Sequence, residues 1–417
     1  MSRFIVSGGE RLSGEVEVQG AKNSALPILA ATILTKGENV LHNCSRLSDV
    51  TTSLKILRYL GCSANITGNT AIVNADNMCG SDIPNHLMRE MRSSIVFLGA
   101  ILSRTGKAYL SFPGGCELGP RPIDLHLKAL KKMGAKITER HGILECSTDK
   151  GLKGAKITLS FPSVGATENI ILAAVRAKGT TTITNAAREP EITDLCDYLN
   201  SCGANIYGTG EGVIVIDGVD ELYSTQHTII PDRIVGATLM SAAAVTHSDI
   251  CLKGIIQSHL NSVVPVFEEM GCQLEFSKGD LFFKSPKVLK PVSLVRTMPY
   301  PGFPTDAQAP LMAVSTLCEG TSVFVESIFE NRFKHVDELT RLGASISVQG
   351  KVAVVQGVKH LYGASVEAQD LRGAAGLIVA ALGAEGTTDI GGIKYLERGY
   401  EDFEVVLSSL GANVKKI

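Results

Sequence analysis

No long block of one charge sign runs through this chain: 40 basic residues stand against 42 acidic ones, a net charge of −2. That balance gives no footprint for nucleic acid or an anionic membrane as the main partner, and leaves small anions held by local clusters. Apolar runs such as residues 373–384 are too short to span a bilayer, and residues 1–11 lack the uninterrupted apolar core of a signal peptide. A cytoplasmic protein is expected. Ten cysteines (44, 62, 79, 116, 146, 196, 202, 251, 272 and 318) include no Cys-x-x-Cys pair and no ligand-like cluster with histidine. That argues against zinc, and most of them read as small buried apolar residues in a reducing compartment.

A repeat is present instead. An amphipathic helix ends in an apolar residue or cysteine, then Gly, then Ala or Cys, then an alternating strand. Six copies place the glycine at 61, 134, 203, 271, 343 and 411, so the intervals are 73, 69, 68, 72 and 68 residues. Each phrase reads as a helix closed by a left-handed Gly, followed by a strand and a hairpin. Before most of them lies another small-residue helix and a strand, as in residues 25–34 with 39–42, and residues 167–175 with 180–184. At 417 residues the chain is long for one core. An α/β protein of two three-repeat domains is therefore expected. One would be residues 22–229, and the other residues 1–21 with 230–417, with a ligand site in the cleft between them.

The most crowded chemistry lies in residues 112–126, Phe-Pro-Gly-Gly-Cys-Glu-Leu-Gly-Pro-Arg-Pro-Ile-Asp-Leu-His. Residues 107–112 alternate like a strand, Gly114 and Gly115 put Cys116 in an exposed turn, and Pro122 suits the first turn of a helix that Gly134 stops. Arg121 then stands near a helix N-terminus that favours an anion. Such a loop fits a lid over an anionic substrate as well as it fits a glycine-rich surface turn. Lys22 and Asn23 open another helix at the expected domain crossing; Lys22 is there to reach a phosphate or simply to be solvated. Arg92, Arg121, Arg332, Arg372 and Arg398 recur near turns and helix starts, either as surface ion pairs or as a joint clamp for phosphate and carboxylate. Asp306, after the proline-rich residues 299–305, reads as a helix cap or as a general base.

Eight motifs together resemble the UDP-N-acetylglucosamine 1-carboxyvinyltransferase (MurA) family of enolpyruvyl transferases over essentially the full length. They are Gly20-Ala-Lys-Asn-Ser-Ala-Leu-Pro27, Pro113-Gly-Gly-Cys-Glu-Leu-Gly-Pro-Arg-Pro122, Ser163-Val-Gly-Ala-Thr167, Asn185-Ala-Ala-Arg-Glu-Pro-Glu191, Phe303-Pro-Thr-Asp306, Phe329-Glu-Asn-Arg332, Asp370-Leu-Arg372 and Arg398-Gly-Tyr400. The resemblance implies a two-domain inside-out α/β barrel of six repeats. It implies transfer of the enolpyruvyl group of phosphoenolpyruvate to the 3′-hydroxyl of UDP-N-acetylglucosamine with release of phosphate, and no metal or organic cofactor. It also implies roles. Lys22, Arg121 and Arg398 would cradle the phosphate, with Arg92, Arg332 and Arg372 as supporting cations. Asn23, Pro122, Ile123, Asp124, Leu125, Ser163, Val164, Gly165, Asp306, Ile328 and Asp370 would join the substrate site, with Asp306 as base and Cys116 as acid. One departure is Val235-Gly-Ala237, which stands where the family usually has an acidic residue, a small residue and Gly.

Two other readings are weighed: a transferase using shikimate 3-phosphate, whose family lacks the Gly-Gly-Cys loop, and a non-catalytic nucleotide-sugar sensor. The epoxide fosfomycin is expected to alkylate Cys116 under saturating nucleotide sugar. Peptide mass mapping checks this, and an unmodified Cys116 peptide would count against the lid.

Overall fold

The structure, a computed structural model, describes residues 2–111 and 123–417, and for Arg92 the backbone alone. Two compact units result. One holds the residues up to Gln19 together with Pro231–Ile417, and the other runs from Gly20 to Ile230.

Within each unit are three four-stranded sheets of one pattern, a parallel edge pair followed by two antiparallel neighbours. The chemistry of one repeat explains it. Strand Lys156–Thr158 leads into helix Val164–Ala174 and then into strand Thr180–Thr184, which lies parallel to the first with Ile157 opposite Ile183. A parallel neighbour needs such a crossover. The amphipathic helix Pro190–Ser201 then ends at Cys202, and the hairpin Asn205–Tyr207 with Val213–Asp217 completes the sheet.

Three sheets borrow a strand from far along the chain. Ser13–Glu17 lies parallel to Asp249–Lys253, and Gln226–Thr228 lies parallel to Glu38–His42. The N-terminal strand Phe4–Ser7 sits between Thr387–Gly391 and the C-terminal Asn413–Lys416, so the last repeat closes its hairpin with the first residues of the chain. Among the described residues none of these sheets closes on itself, so the expected barrel is built as separate sheets around helices.

All six phrase glycines are left-handed, with φ between 93° and 100°. No other residue type takes that conformation without strain, which is why the phrase is so regular. The small-residue helices form the interior. In the C-terminal unit Arg233–Val245, Gln308–Ser315 and Leu371–Leu382 pack on one another and are buried on every side. In the Gly20–Ile230 unit Lys22–Ala31 and Val164–Ala174 both pack on Phe97–Thr105. A helix that is apolar all round has no face for water, so its place is at the centre of a core.

Two glycine substitutions separate these two causes. Gly203→Ala meets no atom within 4 Å and costs only the left-handed backbone, about 1–2 kcal/mol. Gly99→Ala drives its Cβ to 2.3 Å from the Asn169 carbonyl oxygen between two core helices. The expected result is a modest drop in thermal midpoint for the first and a much larger one, or no folded protein, for the second.

Candidate active site

The proline-rich turn ahead of Asp306 contains a cis Tyr300–Pro301 bond and runs into a short 3₁₀ turn, Thr305–Ala307. The helix that follows, Gln308–Ser315, has no side-chain cap. Capping is therefore not what Asp306 does. Its Oδ1 accepts from Arg332 Nη2 at 2.8 Å and its Oδ2 from Arg372 Nη2 at 2.9 Å. The carboxylate is 27% exposed while both arginine side chains are 3% exposed. Two buried guanidiniums thus converge on one accessible carboxylate. Burial is the largest influence on the Arg372 pKa and lowers it, but the Asp306 charge and hydrogen bond, with Tyr400 and Asp232, together outweigh it and the net shift is upward, so the cation persists.

Further contacts fix each arginine. Arg332 Nη2 also donates to the Thr305 carbonyl at 3.1 Å, and its guanidinium lies 5.4 Å from the Phe329 ring centroid. Arg372 Nη1 donates to the Tyr400 hydroxyl at 3.2 Å, which in turn meets Thr238 Oγ1 at 2.8 Å. Arg372 owes its position to Asp370, which caps helix Leu371–Leu382 by accepting from the N–H groups of Arg372 and Gly373, each at 3.0 Å. Ile328 belongs to the same turn region: Glu326, fully buried, accepts from the N–H groups of Ile328 and Phe329 and from Thr305 Oγ1. Arg398 ends the 3₁₀ turn Ile393–Arg398 and is half-buried. Asp232 caps the helix Arg233–Val245 that carries Val235, accepting from the N–H groups of Ile234 and Val235.

The Gly20–Ile230 unit carries a second set. Lys22 is the first residue of its helix, and its Nζ lies 3.3 Å from Oδ2 of Asp49, which is 2% exposed. Asn23 beside it is half-buried. Ser163 caps helix Val164–Ala174, accepting from the Ala166 N–H at 3.3 Å. Helix Asp124–Lys132 lies against the start of that helix, since a Cβ on Gly165 would stand 3.2 Å from Cε1 of His126. Two stretches that the resemblance assigned to one nucleotide-sugar site, 123–125 and 163–165, are therefore neighbours. Ile123 is buried and Leu125 partly so, while Asp124 pairs with Lys128 at 2.9 Å on the exposed face. Arg92 begins the 3₁₀ helix Arg92–Val96. Cys116, Arg121 and Pro122 lie outside the described residues.

Asp49, Glu326 and Thr238 were not singled out from the sequence, and Tyr400 entered only as the end of the Arg398-Gly-Tyr400 motif, without a role. Glu326 had a signal, an acidic residue directly after the strand Thr321–Val325; Asp49 and Thr238 sit inside ordinary helices and had none. Among the described residues no group of three or more His, Cys, Asp or Glu side chains is placed to hold a metal ion. Seven of the nine described cysteines are buried, Cys251 is half-buried and Cys79 exposed.

Residues 6–407 match the family model of EPSP synthase (3-phosphoshikimate 1-carboxyvinyltransferase). The chain belongs to this family. Among curated relatives, UDP-N-acetylglucosamine 1-carboxyvinyltransferase 2 of Caldanaerobacter subterraneus subsp. tengcongensis is 50% identical, with all of both chains covered. UDP-N-acetylglucosamine 1-carboxyvinyltransferase 1 of Symbiobacterium thermophilum is 48% identical over all of this chain and 95% of its own. Among solved structures, the enolpyruvyl transferase NikO from Streptomyces tendae superposes with a TM-score of 0.90 at 26% identity, covering 100% of this chain and 98% of its own. EPSP synthase from Acinetobacter baumannii, at a TM-score of 0.79, 20% identity and full coverage of both chains, shares the fold. Among the described residues no helix is long and apolar enough to cross a membrane.

One titration beside this set is testable. Glu168, in the helix that Ser163 caps, is buried, and burial with help from Glu191 and Glu189 pushes its carboxyl up to about 8. Its folded pKa exceeds the unfolded value, so the folded state keeps a proton that the unfolded chain releases, and stability falls as pH rises from about 4.5 to 8. Glu168→Gln has no such loss. Its thermal midpoint is expected to gain on the wild type between pH 5 and pH 8, by an amount equivalent to roughly 1 kcal/mol or more.

Proposed function

We propose that this protein transfers the enolpyruvyl group of phosphoenolpyruvate to the 3′-hydroxyl of UDP-N-acetylglucosamine and releases phosphate, the first committed step of peptidoglycan precursor synthesis, in the cytoplasm. The observation that carries this reading is full-length identity of 47–50% to three enzymes named for that reaction. The shikimate 3-phosphate alternative has less behind it, because likeness to the EPSP synthase structure is 20% in sequence and concerns the fold.

The chemistry follows from what the substrates need. The methylene carbon of phosphoenolpyruvate must gain a proton, the adjacent carbon then accepts the sugar oxygen, and the tetrahedral ketal expels phosphate as the proton on that methyl carbon is lost. Cys116 is assigned the proton donation, and Asp306 the removal of the 3′-hydroxyl proton. In support of Asp306, its carboxylate is accessible and oriented from both sides by rigid guanidiniums, and a base must be held in position to act. Arg332 and Arg372 supply fixed positive charge beside the anionic substrate, where each well-placed donor is worth on the order of 10²–10³ in rate. Lys22, buried except for about a tenth of its side chain and restrained by Asp49, is assigned to the phosphate together with Arg121 and Arg398. Arg92 supports them. Asn23, Ser163, Val164, Gly165, Ile328 and the 122–125 segment are assigned to the nucleotide sugar.

Phosphate release from phosphoenolpyruvate is expected with UDP-N-acetylglucosamine and not with shikimate 3-phosphate. Asp306→Asn should lower the rate by at least about 10² while UDP-N-acetylglucosamine still binds. Near-normal turnover in that variant would sink the assignment of the base.

A further inference from the structure

Helix Lys22–Ala31 begins weakly. Its N-cap is Ala21, which offers no side-chain cap, and Pro27 within it has no N–H to close a turn onto the Asn23 carbonyl. The first turn, which carries Lys22 and Asn23, therefore depends on ties from outside the helix. Asp194, in helix Pro190–Ser201 and 4% exposed, supplies one. Its Oδ2 accepts from the fully buried Ser24 hydroxyl and from the Ile230 N–H at 3.4 Å, and its Oδ1 lies 2.8 Å from His227 Nε2. A carboxylate can only accept, so His227 carries a proton on Nε2. The ring is held in turn: it stands edge-on to Tyr198 at 5.6 Å between centroids, and the Tyr198 hydroxyl donates to Asn39 Oδ1 at 2.7 Å. The Ile230 carbonyl accepts from the Ala21 N–H at 2.7 Å, so Asp194 grips the N-cap as well as the first turn. Serine, aspartate and histidine together suggest a hydrolytic relay, but their order excludes one. Ser24 and His227 both donate to the carboxylate, so the serine proton points to Asp194 and not to the histidine.

We infer that Asp194 is a positioning residue for Lys22: by holding Ser24 and Ile230 it fixes the first turn of this uncapped helix, and with it the direction from which the lysine ammonium reaches a phosphate. Lysine presents its charge on a flexible four-carbon stem, so both ends of the stem must be restrained before the charge has a defined place. Asp49, 3.3 Å from Nζ, restrains the tip, and Asp194 restrains the backbone. The partners lock one another, because a buried carboxylate that lost its donors would be costly. The inference deepens the assignment of Lys22 to the phosphate of phosphoenolpyruvate and rests on it, and its first test uses neither substrate.

In the full chain without substrates, acetylation of Lys22 by acetic anhydride, followed by peptide mass mapping, is expected to run severalfold faster in Ser24→Ala and Asp194→Ala than in the wild type. Exposed lysines such as Lys278 should be labelled at unchanged rates. Wild-type labelling of Lys22 in both variants, or equal acceleration at lysines throughout the chain, would overturn the inference. In kinetics, Ser24→Ala should raise KM for phosphoenolpyruvate about tenfold, a larger change than its loss in kcat. Asp194→Asn still accepts from Ser24 and Ile230, and it can donate to His227 Nε2 once the ring proton moves to Nδ1. It should therefore recover most of what Asp194→Ala loses, and equal impairment in the Asn and Ala variants would refute positioning by these hydrogen bonds. Should Asp194→Ala fail to fold, Ser24→Ala and Asp194→Asn carry both tests, with Asp194→Asn expected to stay closer to the wild type. If the wild type releases no phosphate from phosphoenolpyruvate with UDP-N-acetylglucosamine, the functional reading has failed, and the labelling rates still decide whether Asp194 positions Lys22.

Discussion

Two arginine side chains buried to 97% cannot stand in a protein interior without a counter-charge, and Asp306 supplies it to both. Leaving even one such charge unpaired costs several kcal/mol, so the three residues constrain each other and everything that carries them. Arg372 is set by the Asp370 cap at the start of a core helix, and Arg332 by the loop that Glu326 anchors. Asp306 itself rides on the turn that begins the neighbouring core helix. The interior of this unit thereby fixes the direction in which an accessible carboxylate faces.

The repeat gives this arrangement its scaffold. Each left-handed glycine turns an amphipathic helix into a strand without a Cβ penalty, while each small-residue helix packs centrally because it presents apolar atoms on every side. Candidate site residues collect where the central helices begin. Lys22, Ser163 and Asp370 with Arg372 all sit at such starts, where N–H groups lack intrahelical acceptors and anions are favoured. A fold made of helix starts and polar caps is thus well suited to substrates rich in phosphate.

Much of the secondary structure was legible from periodicity. Strand 180–184 was read to the residue, the helix at 164–174 was read as 167–175 from its small apolar run, and the six glycines marked helix ends by their φ requirement. The site was legible only in pieces. Asp306 in a proline-rich turn reads as a cap, and nothing in residues 299–306 tells that guanidiniums 26 and 66 residues later will meet it. Likewise an arginine near a turn reads as a surface ion pair until its burial is known.

The sequence by itself determined the α/β repeat, its period and the family, because glycine conformation, apolar spacing and motif order are local properties written along the chain. Only the tertiary structure decided which polar residues share a carboxylate, and that Glu326 and Tyr400 support them. Those are pairings at long sequence separation, set by how buried charges and amides satisfy one another once the helices pack, and no local pattern encodes them.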